Sequence, residues 1–291
     1  MHFGIIVSDP DDWTAKSLRS SFVRMGSDAS FLNFSDLYAS IGVTGPGLHI
    51  TSRGEMLTEL DGLVVRDLGR GKAHDVAFRF EVLRAVEDLG IPVVNSSEAI
   101  TRAANKFATS VALHRASVPT PRTVVTSSMS DAIEFLSQCG KVVSKPLFGY
   151  KGQGIVLLTQ NDAPALQSIL DAQGMVYLQE FISLERPRDI RAFVVADEVA
   201  GAIYRVAPPG EWISNLARGG KAIPCPVTEE TKEQAIRASR AVGAVYCGVD
   251  LLETKEGQKV IEVNGTPSGK GIYKALGVDV TKAIAGHILD K

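Results

Sequence analysis

The stretch YCGVDLLETKEGQKVIEVN, residues 246–264, alternates apolar and polar side chains on both sides of a polar turn. This pattern predicts a β-hairpin, because successive side chains of a strand point to opposite faces. With the turn centred on Glu256, Asp250 directly faces Glu262 on one side of the hairpin. The opposite, core-facing side carries Val249, Leu251, Ile261 and Val263.

The facing carboxylates are the sharpest chemical signal in the chain. Their Cβ atoms would lie about 4.5–5.5 Å apart, which destabilises a sheet unless a cation lies between the charges. Asn264 follows on the same face, and carboxylate and amide oxygens suit Mg²⁺ when water and substrate phosphates complete its shell. In the same register Glu253 faces Lys259, a favourable pair. The alternative to a metal site is two solvated acids on an exposed face.

A second signal is KPLFGYKGQGI, residues 145–155, which holds three glycines between two apolar runs. The runs Val142–Val143 and Ile155–Leu158 predict two antiparallel strands, so a hairpin turn would explain the glycines. A longer loop with exposed backbone amides and a lysine also suits a phosphate group. The loop alone leaves both interpretations open.

Composition excludes several classes of protein. The 291 residues, 45% of them hydrophobic, suffice for one large domain or two to three small ones. A formal net charge of −2 provides no overall basic field for nucleic acid, so any anion site must be local. The sequence predicts no membrane span, because no window approaches 18 apolar residues. Three scattered cysteines and an N-terminus without a basic flank predict an unexported, cytoplasmic protein.

The order of elements predicts three parts. Residues 1–96 alternate strands and helices, which implies an α/β domain with a parallel sheet. Asn95 and Glu98 fit a capping pair that opens the next helix. Residues 97–182 then read as a small α+β unit that contains the glycine loop. Residues 183–291 read as strands, a helix over 229–242, the carboxylate hairpin and one closing helix.

Familiar motifs of other enzymes are absent from the sequence. GTPSGKG, residues 265–271, has one residue too few for a Walker A loop and lacks the following Ser or Thr. The sequence contains no GxSxG, no HExxH and no GxGxxG after the first strand, so hydrolase, zinc-protease and dinucleotide-binding interpretations have no support.

Eight segments do occur in a familiar order, from about Asp61 to the last helix. They are NSSEAI, ANKFATS, SKPLFGYKGQGI, LQEFI, RDIRAFVV, NLARGG, GVDLLE and VIEVNGTP. With these segments the chain resembles the ATP-grasp enzymes, and among them the RimK-type α-L-glutamate ligases. The resemblance implies an ATP-grasp fold with an N-terminal pre-ATP-grasp domain, a central subdomain with a glycine-rich flap, and a C-terminal subdomain. ATP would lie between the last two.

The resemblance also implies residue roles, each at the position that matches the family motif. The phosphate-binding lysines would be Lys106 and Lys145. The flap would contact the nucleotide through Gly149, Lys151, Gly152 and Gly154. The adenine hinge and a further ATP contact would be Gln179, Glu180, Phe181, Ile182 and Asp189. The ligands of two Mg²⁺ or Mn²⁺ ions would be Asp250, Glu262 and Asn264. The catalytic group would be Arg191, Arg205, Arg218 and Asn215.

The implied reaction begins with transfer of the γ-phosphoryl group of ATP to an acceptor carboxylate. The amine of L-glutamate then attacks the acyl phosphate, and an amide forms as phosphate leaves. Within the family, VVRDLG and FRFEVLR are most similar to ligases that add glutamate to the pterin tetrahydromethanopterin. Other members modify ribosomal protein tails, the deazaflavin coenzyme or an amino-group carrier protein. A kinase and a noncatalytic nucleotide sensor are the alternatives of another class.

The sequence departs from the family pattern at two positions. Ile213-Ser214-Asn215 stands where RimK-type members commonly have Arg-Ser-Asn, so one cation is missing, and Lys151 is a candidate replacement. Ser268 stands where a glycine usually follows proline. The resemblance is compatible with a homo-oligomer, whose state the sequence does not determine.

Overall fold

A computed structural model of the chain describes residues 1–43, 47–149 and 152–290. The helices are α1 (Trp13–Arg24), α2 (Ala73–Asp88), α3 (Ser97–Ala104), α4 (Lys106–Arg115), α5 (Met129–Cys139), α6 (Ala163–Gln173), α7 (Glu229–Val242), α8 (Lys270–Leu276) and α9 (Val280–Leu289). The strands are β1 (His2–Ile6), β2 (Asp28–Leu32), β3 (Leu37–Ile41), β4 (Leu48–Ser52), β5 (Glu55–Met56), β6 (Gly62–Val65), β7 (Val93–Val94), β8 (Thr123–Thr126), β9 (Lys141–Lys145), β10 (Val156–Thr159), β11 (Val176–Glu180), β12 (Arg188–Val195), β13 (Glu198–Val206), β14 (Lys221–Pro224), β15 (Tyr246–Thr254) and β16 (Gly257–Asn264).

The N-terminal part is built on the predicted parallel sheet, in the order β2-β1-β6-β7. Its central strands are almost entirely buried, as expected for a sheet covered by helices. Between β2 and β6 the chain adds a small antiparallel sheet, β3-β4-β5, which the sequence pattern did not predict. Its strands alternate only weakly, because half-exposed and exposed residues predominate in them.

The central part is an antiparallel sheet in the order β10-β9-β11-β8. Helices α5 and α6 bury one face of it, with Phe135, Leu158 and Leu178 in the shared core. The glycine loop connects β9 to β10, as predicted, with Ser144 opposite Val156 at its base.

The C-terminal part is a five-stranded antiparallel sheet in the order β14-β13-β12-β15-β16. Helix α7 packs on one face of it. Two helices close the chain instead of the single one predicted, because Gly277 adopts a left-handed φ of 71° and ends α8 before α9 begins. Helix α9 packs against α1, so the first and last parts share one apolar core. In the part of the chain that the structure describes, no helix combines the length and the apolarity that crossing a membrane requires.

The carboxylate hairpin forms with the predicted pairing of Asp250 and Glu262, but the register shifts beyond Asp250. Leu251 pairs with Val260, so Ile261 is the extra residue of a β-bulge. Val260 therefore replaces Ile261 in the core. The predicted pair of Glu253 and Lys259 is wrong for the same reason, since the shift places Gln258 opposite Glu253.

Asn95 does not cap helix α3, as the sequence pattern suggested. Ser96 does, by accepting a hydrogen bond from the amide of Ala99. The side chain of Asn95 is fully buried and connects the N-terminal part to β15 and to Gly265, the residue that follows β16. Its Nδ2 donates to the carbonyls of Tyr246 and Gly265, over 2.7 and 2.6 Å, while its Oδ1 accepts from the amide of Tyr246. Asn95 thereby ties the hairpin to the first sheet.

Candidate active site

A row of charged residues crosses the C-terminal sheet on one face. Asp250 on β15 lies between Arg191 on β12 and Glu262 on β16, which are its direct cross-strand neighbours. Arg191 donates to Asp250 through Nε and through Nη2, the latter over 2.9 Å. Two facing carboxylates repel each other unless positive charge lies near them, and the guanidinium group of Arg191 provides part of that charge.

Arg205 forms the second half of this network. It lies opposite Asp189 and donates to both oxygens of that carboxylate, through Nε over 2.7 Å and through Nη2 over 2.5 Å. The same Nη2 reaches Oδ2 of Asp250 over 2.7 Å. Ser214 also donates to Asp189 over 2.8 Å, a contact that sequence reasoning did not identify. We call Asp189, Arg191, Arg205 and Asp250 the arginine side of the site.

The pKa of Asp250 shows that the arginine side is internally neutralised. Burial by itself would raise this pKa, but the guanidinium groups of Arg191 and Arg205 outweigh burial and hold it below its ordinary value. The two carboxylates in turn keep the pKa of Arg205 above its ordinary value despite burial. Asp250 and Arg205 therefore stabilise each other's charged forms in a nearly closed environment.

The opposite wall of the site carries two lysines. Lys106 begins α4, where Asn105 caps the helix by accepting from the amides of Phe107 and Ala108. The Nζ of Lys106 lies 3.3 Å from Oε1 of Glu262. Lys145 ends β9, and its Nζ donates to Oε1 of Gln179 over 2.7 Å. We call Lys106, Lys145, Gln179 and Glu262 the lysine side of the site.

Lys145 is in an unfavourable environment for a free ammonium group. Burial, together with the positive charge of Lys106, lowers the pKa of Lys145 to about 8, although Glu262 and Asp250 partly counteract the decrease. Two ammonium groups face one carboxylate on this side of the site. A negatively charged ligand would restore the balance.

A chain of hydrogen bonds behind the lysines involves residues that sequence reasoning missed. The Nε2 of Gln179 donates to the hydroxyl of Tyr177 over 3.3 Å, and that hydroxyl lies 2.9 Å from Oγ of Ser110. Ser110 donates to the carbonyl of Lys106 over 2.9 Å. The chain holds the side-chain carbonyl of Gln179 toward Lys145, so both lysines belong to one polar framework. The family resemblance implied Gln179 as a hinge residue but gave no sign of these partners.

The glycine loop begins next to Lys106 on the lysine side of the site. At its base the amide of Lys106 donates to the carbonyl of Leu147, and a Cβ on Gly149 would lie 3.3 Å from Nζ of Lys106. Further along, Gly152 has a φ of 73°, and its carbonyl accepts a hydrogen bond from Nη1 of Arg218 over 3.1 Å. Gly154 also has a positive φ, of 71°. The loop therefore reaches from the lysine side to the segment that follows β13.

That segment contains the predicted residues Asn215 and Arg218. A Cβ on Gly152 would lie 3.1 Å from Oδ1 of Asn215, so both residues contact the glycine loop and not the charged row. Ile213, which replaces a family arginine, is buried. Lys151, the candidate replacement cation, lies outside the described residues. Its role stays a prediction.

Three of the four predicted hinge residues, Glu180, Phe181 and Ile182, line a cavity of about 630 Å³ between the central sheet and the carboxylate hairpin, whereas Gln179 faces Lys145. Glu180 is held there by Arg122, whose hydrogen bond is the main reason that the pKa of Glu180 is lowered. Phe181 contacts Trp212 edge to face, with ring centroids 5.5 Å apart. The other walls of the cavity are Ile182, residues 183–186, Arg188, residues 253–256 and Lys259. A flat ring system would fit beside the hinge in this cavity.

The oxygens of the site suit a divalent cation only in part. Asp250 and Glu262 face each other, and Asn264 lies at the end of β16, where its Oδ1 accepts from the amide of Thr266 over 3.0 Å. In residues 1–43, 47–149 and 152–290, no three His, Cys, Asp or Glu side chains converge in a way that could hold a metal. A cation here would therefore need the Asn264 amide, water or ligand oxygens, as Mg²⁺ commonly does.

Two family models cover almost the whole chain. A RimK PreATP-grasp domain matches residues 1–100, and a RimK-like ATP-grasp domain matches residues 103–288. The chain belongs to the RimK-like ATP-grasp family. The predicted resemblance is confirmed, and so is the fold class, an α/β N-terminal sheet followed by ATP-grasp parts.

Relatives within the RimK-like family carry more specific names. The chain is 40% identical to a tetrahydromethanopterin:alpha-L-glutamate ligase of Methanosarcina acetivorans, over 98% of both chains. It is 42% identical to a ligase of the same name from Methanocaldococcus jannaschii, over 80% of both chains. A probable alpha-L-glutamate ligase 2 of Shewanella denitrificans is 33% identical, over 99% of this chain and 95% of that protein.

Solved structures share the ATP-grasp fold. The ATP-grasp ligase PsnB, complexed with its minimal precursor, superposes with a TM-score of 0.79 at 21% identity, over 99% of this chain and 98% of PsnB. A RimK domain protein from Sphaerobacter thermophilus superposes with a TM-score of 0.74 at 21% identity, over 99% of this chain and 100% of that one. At this identity the similarity establishes the fold alone.

Proposed function

We propose that this protein is an ATP-dependent carboxylate–amine ligase that adds L-glutamate to a carboxylate of tetrahydromethanopterin. The observation that carries the reaction class is the meeting of the lysine side and the arginine side at Glu262, which brings two ammonium groups next to a carboxylate pair. The pterin acceptor is supported by the full-length similarity to ligases of that name.

In this proposal the nucleotide lies between the central and C-terminal sheets. The adenine occupies the cavity beside Glu180, Phe181 and Ile182. The phosphates lie between Lys106 and Lys145, whose unbalanced charge favours an anion there. The backbone amides of the glycine loop are candidate donors to these phosphates.

Asp250, Glu262 and Asn264 would hold Mg²⁺ or Mn²⁺ in this arrangement. The ion supplies charge neutralisation for the phosphates when it is bound. Two ions and these three ligands remain part of the proposal, together with the ATP contact assigned to Asp189. In the described structure Asp189 is engaged by Arg205 and Ser214, so we assign it the additional task of orienting Arg205.

The protein's residues act mainly by binding and orientation. An oxygen of the acceptor carboxylate attacks the γ-phosphorus of ATP, and the bond to the β-phosphate oxygen breaks, releasing ADP. The neutral amine of glutamate then attacks the acyl carbon, the bond to the phosphate oxygen breaks, and inorganic phosphate leaves with the proton that the amine loses. In this proposal Lys145, Arg205 and Arg191 stabilise the negative charge that builds up in both steps.

A direct product assay tests this function. The purified protein is incubated with ATP, Mg²⁺, L-glutamate and tetrahydromethanopterin, and mass spectrometry measures the pterin. We expect an increase by the mass of whole glutamyl residues, with one ADP and one phosphate per amide bond. Addition to a deazaflavin coenzyme, a carrier protein or a ribosomal protein tail, with none to the pterin, would refute the acceptor but keep the ligase.

Two outcomes of the same assay would refute the reaction class. A phosphorylated acceptor that accumulates regardless of glutamate would indicate a kinase. ATP binding without any turnover across the acceptor panel would indicate a nucleotide sensor.

A further inference from the structure

The two arginines on Asp250 are held very differently. Arg205 donates to both oxygens of Asp189 as well as to Asp250, and its side chain is only 6% exposed. Ser214 fixes Asp189 in turn. Arg191 is more exposed, at 15%, and within the described residues Asp250 is the acceptor to which its guanidinium donates. Arg205 is therefore held by two carboxylates, whereas Arg191 is held by Asp250 alone among the described residues.

The side chain of Arg191 packs closely on the backbone of β15. It crosses β15 at Gly248, where a Cβ would lie 2.9 Å from its Cδ and 3.1 Å from its Nη1. The same added Cβ would lie 3.1 Å from Cβ of Pro267, in the loop that follows β16. Any larger residue at position 248 would displace Arg191, so the glycine permits its present position over the strand.

The arginines occupy both oxygens of Asp250. Oδ1 accepts from Nε of Arg191, while Oδ2 accepts from Nη2 of Arg191 and from Nη2 of Arg205. A divalent cation requires a lone pair of Asp250 and is repelled by a guanidinium on the same carboxylate. The three hydrogen bonds use three of the roughly four lone-pair positions of this carboxylate, so loss of one donor favours a cation. Arg191 is the donor without a second anchor among the residues that the structure describes.

We propose that Arg191 occupies the cation position on Asp250 in the nucleotide-free protein, so that a divalent cation binds with the nucleotide and not before it. This inference rests on the metal site of the proposed function. Phosphates between the lysines and the arginine side attract the Arg191 guanidinium away from Asp250. Arg191 therefore excludes the cation before the nucleotide binds, and afterwards it is free to donate to the phosphates.

Cation binding without nucleotide tests this inference. Mn²⁺ is titrated into the wild type and into Arg191→Gln, and electron paramagnetic resonance measures the free ion. We expect Arg191→Gln to bind Mn²⁺ at least tenfold more tightly than the wild type. Arg240→Gln is the matched control, because it removes the same charge from an exposed pair with Asp197. It should bind Mn²⁺ like the wild type.

Further variants and measurements distinguish a change in cation binding at Asp250 from a change in folding. Circular dichroism checks that Arg191→Gln is folded, and Mn²⁺ should raise its unfolding temperature more than that of the wild type. The double variant Arg191→Gln, Asp250→Asn should lose the gain in affinity, which assigns the gain to Asp250. If Arg191→Gln does not fold, Arg191→Lys replaces it. The substituted lysine retains the charge with fewer fixed donors, so we expect about threefold tighter binding.

An Mn²⁺ affinity of a folded Arg191 variant equal to or weaker than that of the wild type would overturn the inference. The assay contains neither ATP nor acceptor, so this result is independent of the proposed reaction. Conversely, failure of glutamate ligation in the product assay would leave an increase in Mn²⁺ affinity standing.

Discussion

The lysine side and the arginine side meet at Glu262, but they differ in how far their positive charges are balanced by carboxylates. On the arginine side, two guanidinium groups are matched by two carboxylates, and every oxygen of Asp189 and Asp250 accepts a hydrogen bond. On the lysine side, Lys106 has Glu262 as its counter-ion, while the ammonium group of Lys145 has only the neutral amide of Gln179 within hydrogen-bonding distance among the described residues.

The difference indicates what each side is prepared to bind. The lysine side bears an electrostatic cost in the free protein, which an anionic ligand removes. The arginine side is already neutral, so a cation can bind there only by replacing an internal partner. The lysine side therefore attracts phosphate directly, whereas on the arginine side a metal ion binds only after phosphate has bound.

The largest expected effect is at the point where the sides meet. Glu262→Ala removes the counter-ion of Lys106 and one proposed cation ligand, so we expect ADP formation to fall by about 10²–10³-fold or more. Glu262 is partly exposed, so the variant should fold. Glu233→Ala, which breaks an exposed pair with Arg237 on α7, is the control. Near-normal turnover of Glu262→Ala would remove the metal assignment.

Lys145→Met should weaken ATP binding while it stabilises the folded protein. Loss of the ammonium group should weaken ATP binding by about 1.5–3 kcal/mol, roughly tenfold to a hundredfold in Kd. The same change should raise the unfolding temperature at neutral pH, because it removes a buried charge without a counter-ion of its own. Lys141→Met, at the exposed start of the same strand, should change neither quantity. A destabilised variant with unchanged ATP affinity would contradict the comparison of the two sides.

The buried ammonium group of Lys145 should also make stability and ATP affinity depend on pH. In the folded protein Lys145 has a pKa of about 8, against 10.5 ordinarily, so the unfolded chain binds more protons between these values. Stability should therefore rise with pH from about 8 to 10.5 through this group. ATP affinity should fall over the same range, by at most about tenfold per pH unit, because neutral Lys145 no longer attracts phosphate.

Both trends are measurable by thermal unfolding and by ATP titration. They should disappear in Lys145→Met. Identical pH profiles for the variant and the wild type would assign the trends to another group.

The smallest effect concerns the glycine loop. Gly152→Ala strains a residue with a φ of 73° and presses a methyl group toward Asn215, so kcat should fall by roughly fivefold, or about 1 kcal/mol. Gly140→Ala is a matched control, with the same φ of 73° at the end of α5 and no neighbour within 4 Å. It should lose stability but not activity. Equal kcat values for the two variants would mean that the loop does not close on Asn215.

Sequence patterns predicted the parts of the site that depend on local geometry. Alternation placed Asp250 and Glu262 on one face of a hairpin, where they do face each other. The same reasoning failed one residue beyond Asp250, because a bulge inserts Ile261 without any sign in the alternation. Helix capping was also predicted one residue too early, at Asn95 instead of Ser96.

By itself, then, the sequence determined most of the strands and the face on which Asp250 and Glu262 lie, since these follow from backbone periodicity within a few residues. The tertiary structure alone decided the partners. Arg191 and Asp250 are 59 residues apart, and Asn95 reaches Tyr246 across 151. Which charges neutralise each other, and which stay unbalanced, depends on the order of the strands and on the exclusion of water, and neither is encoded in a local pattern.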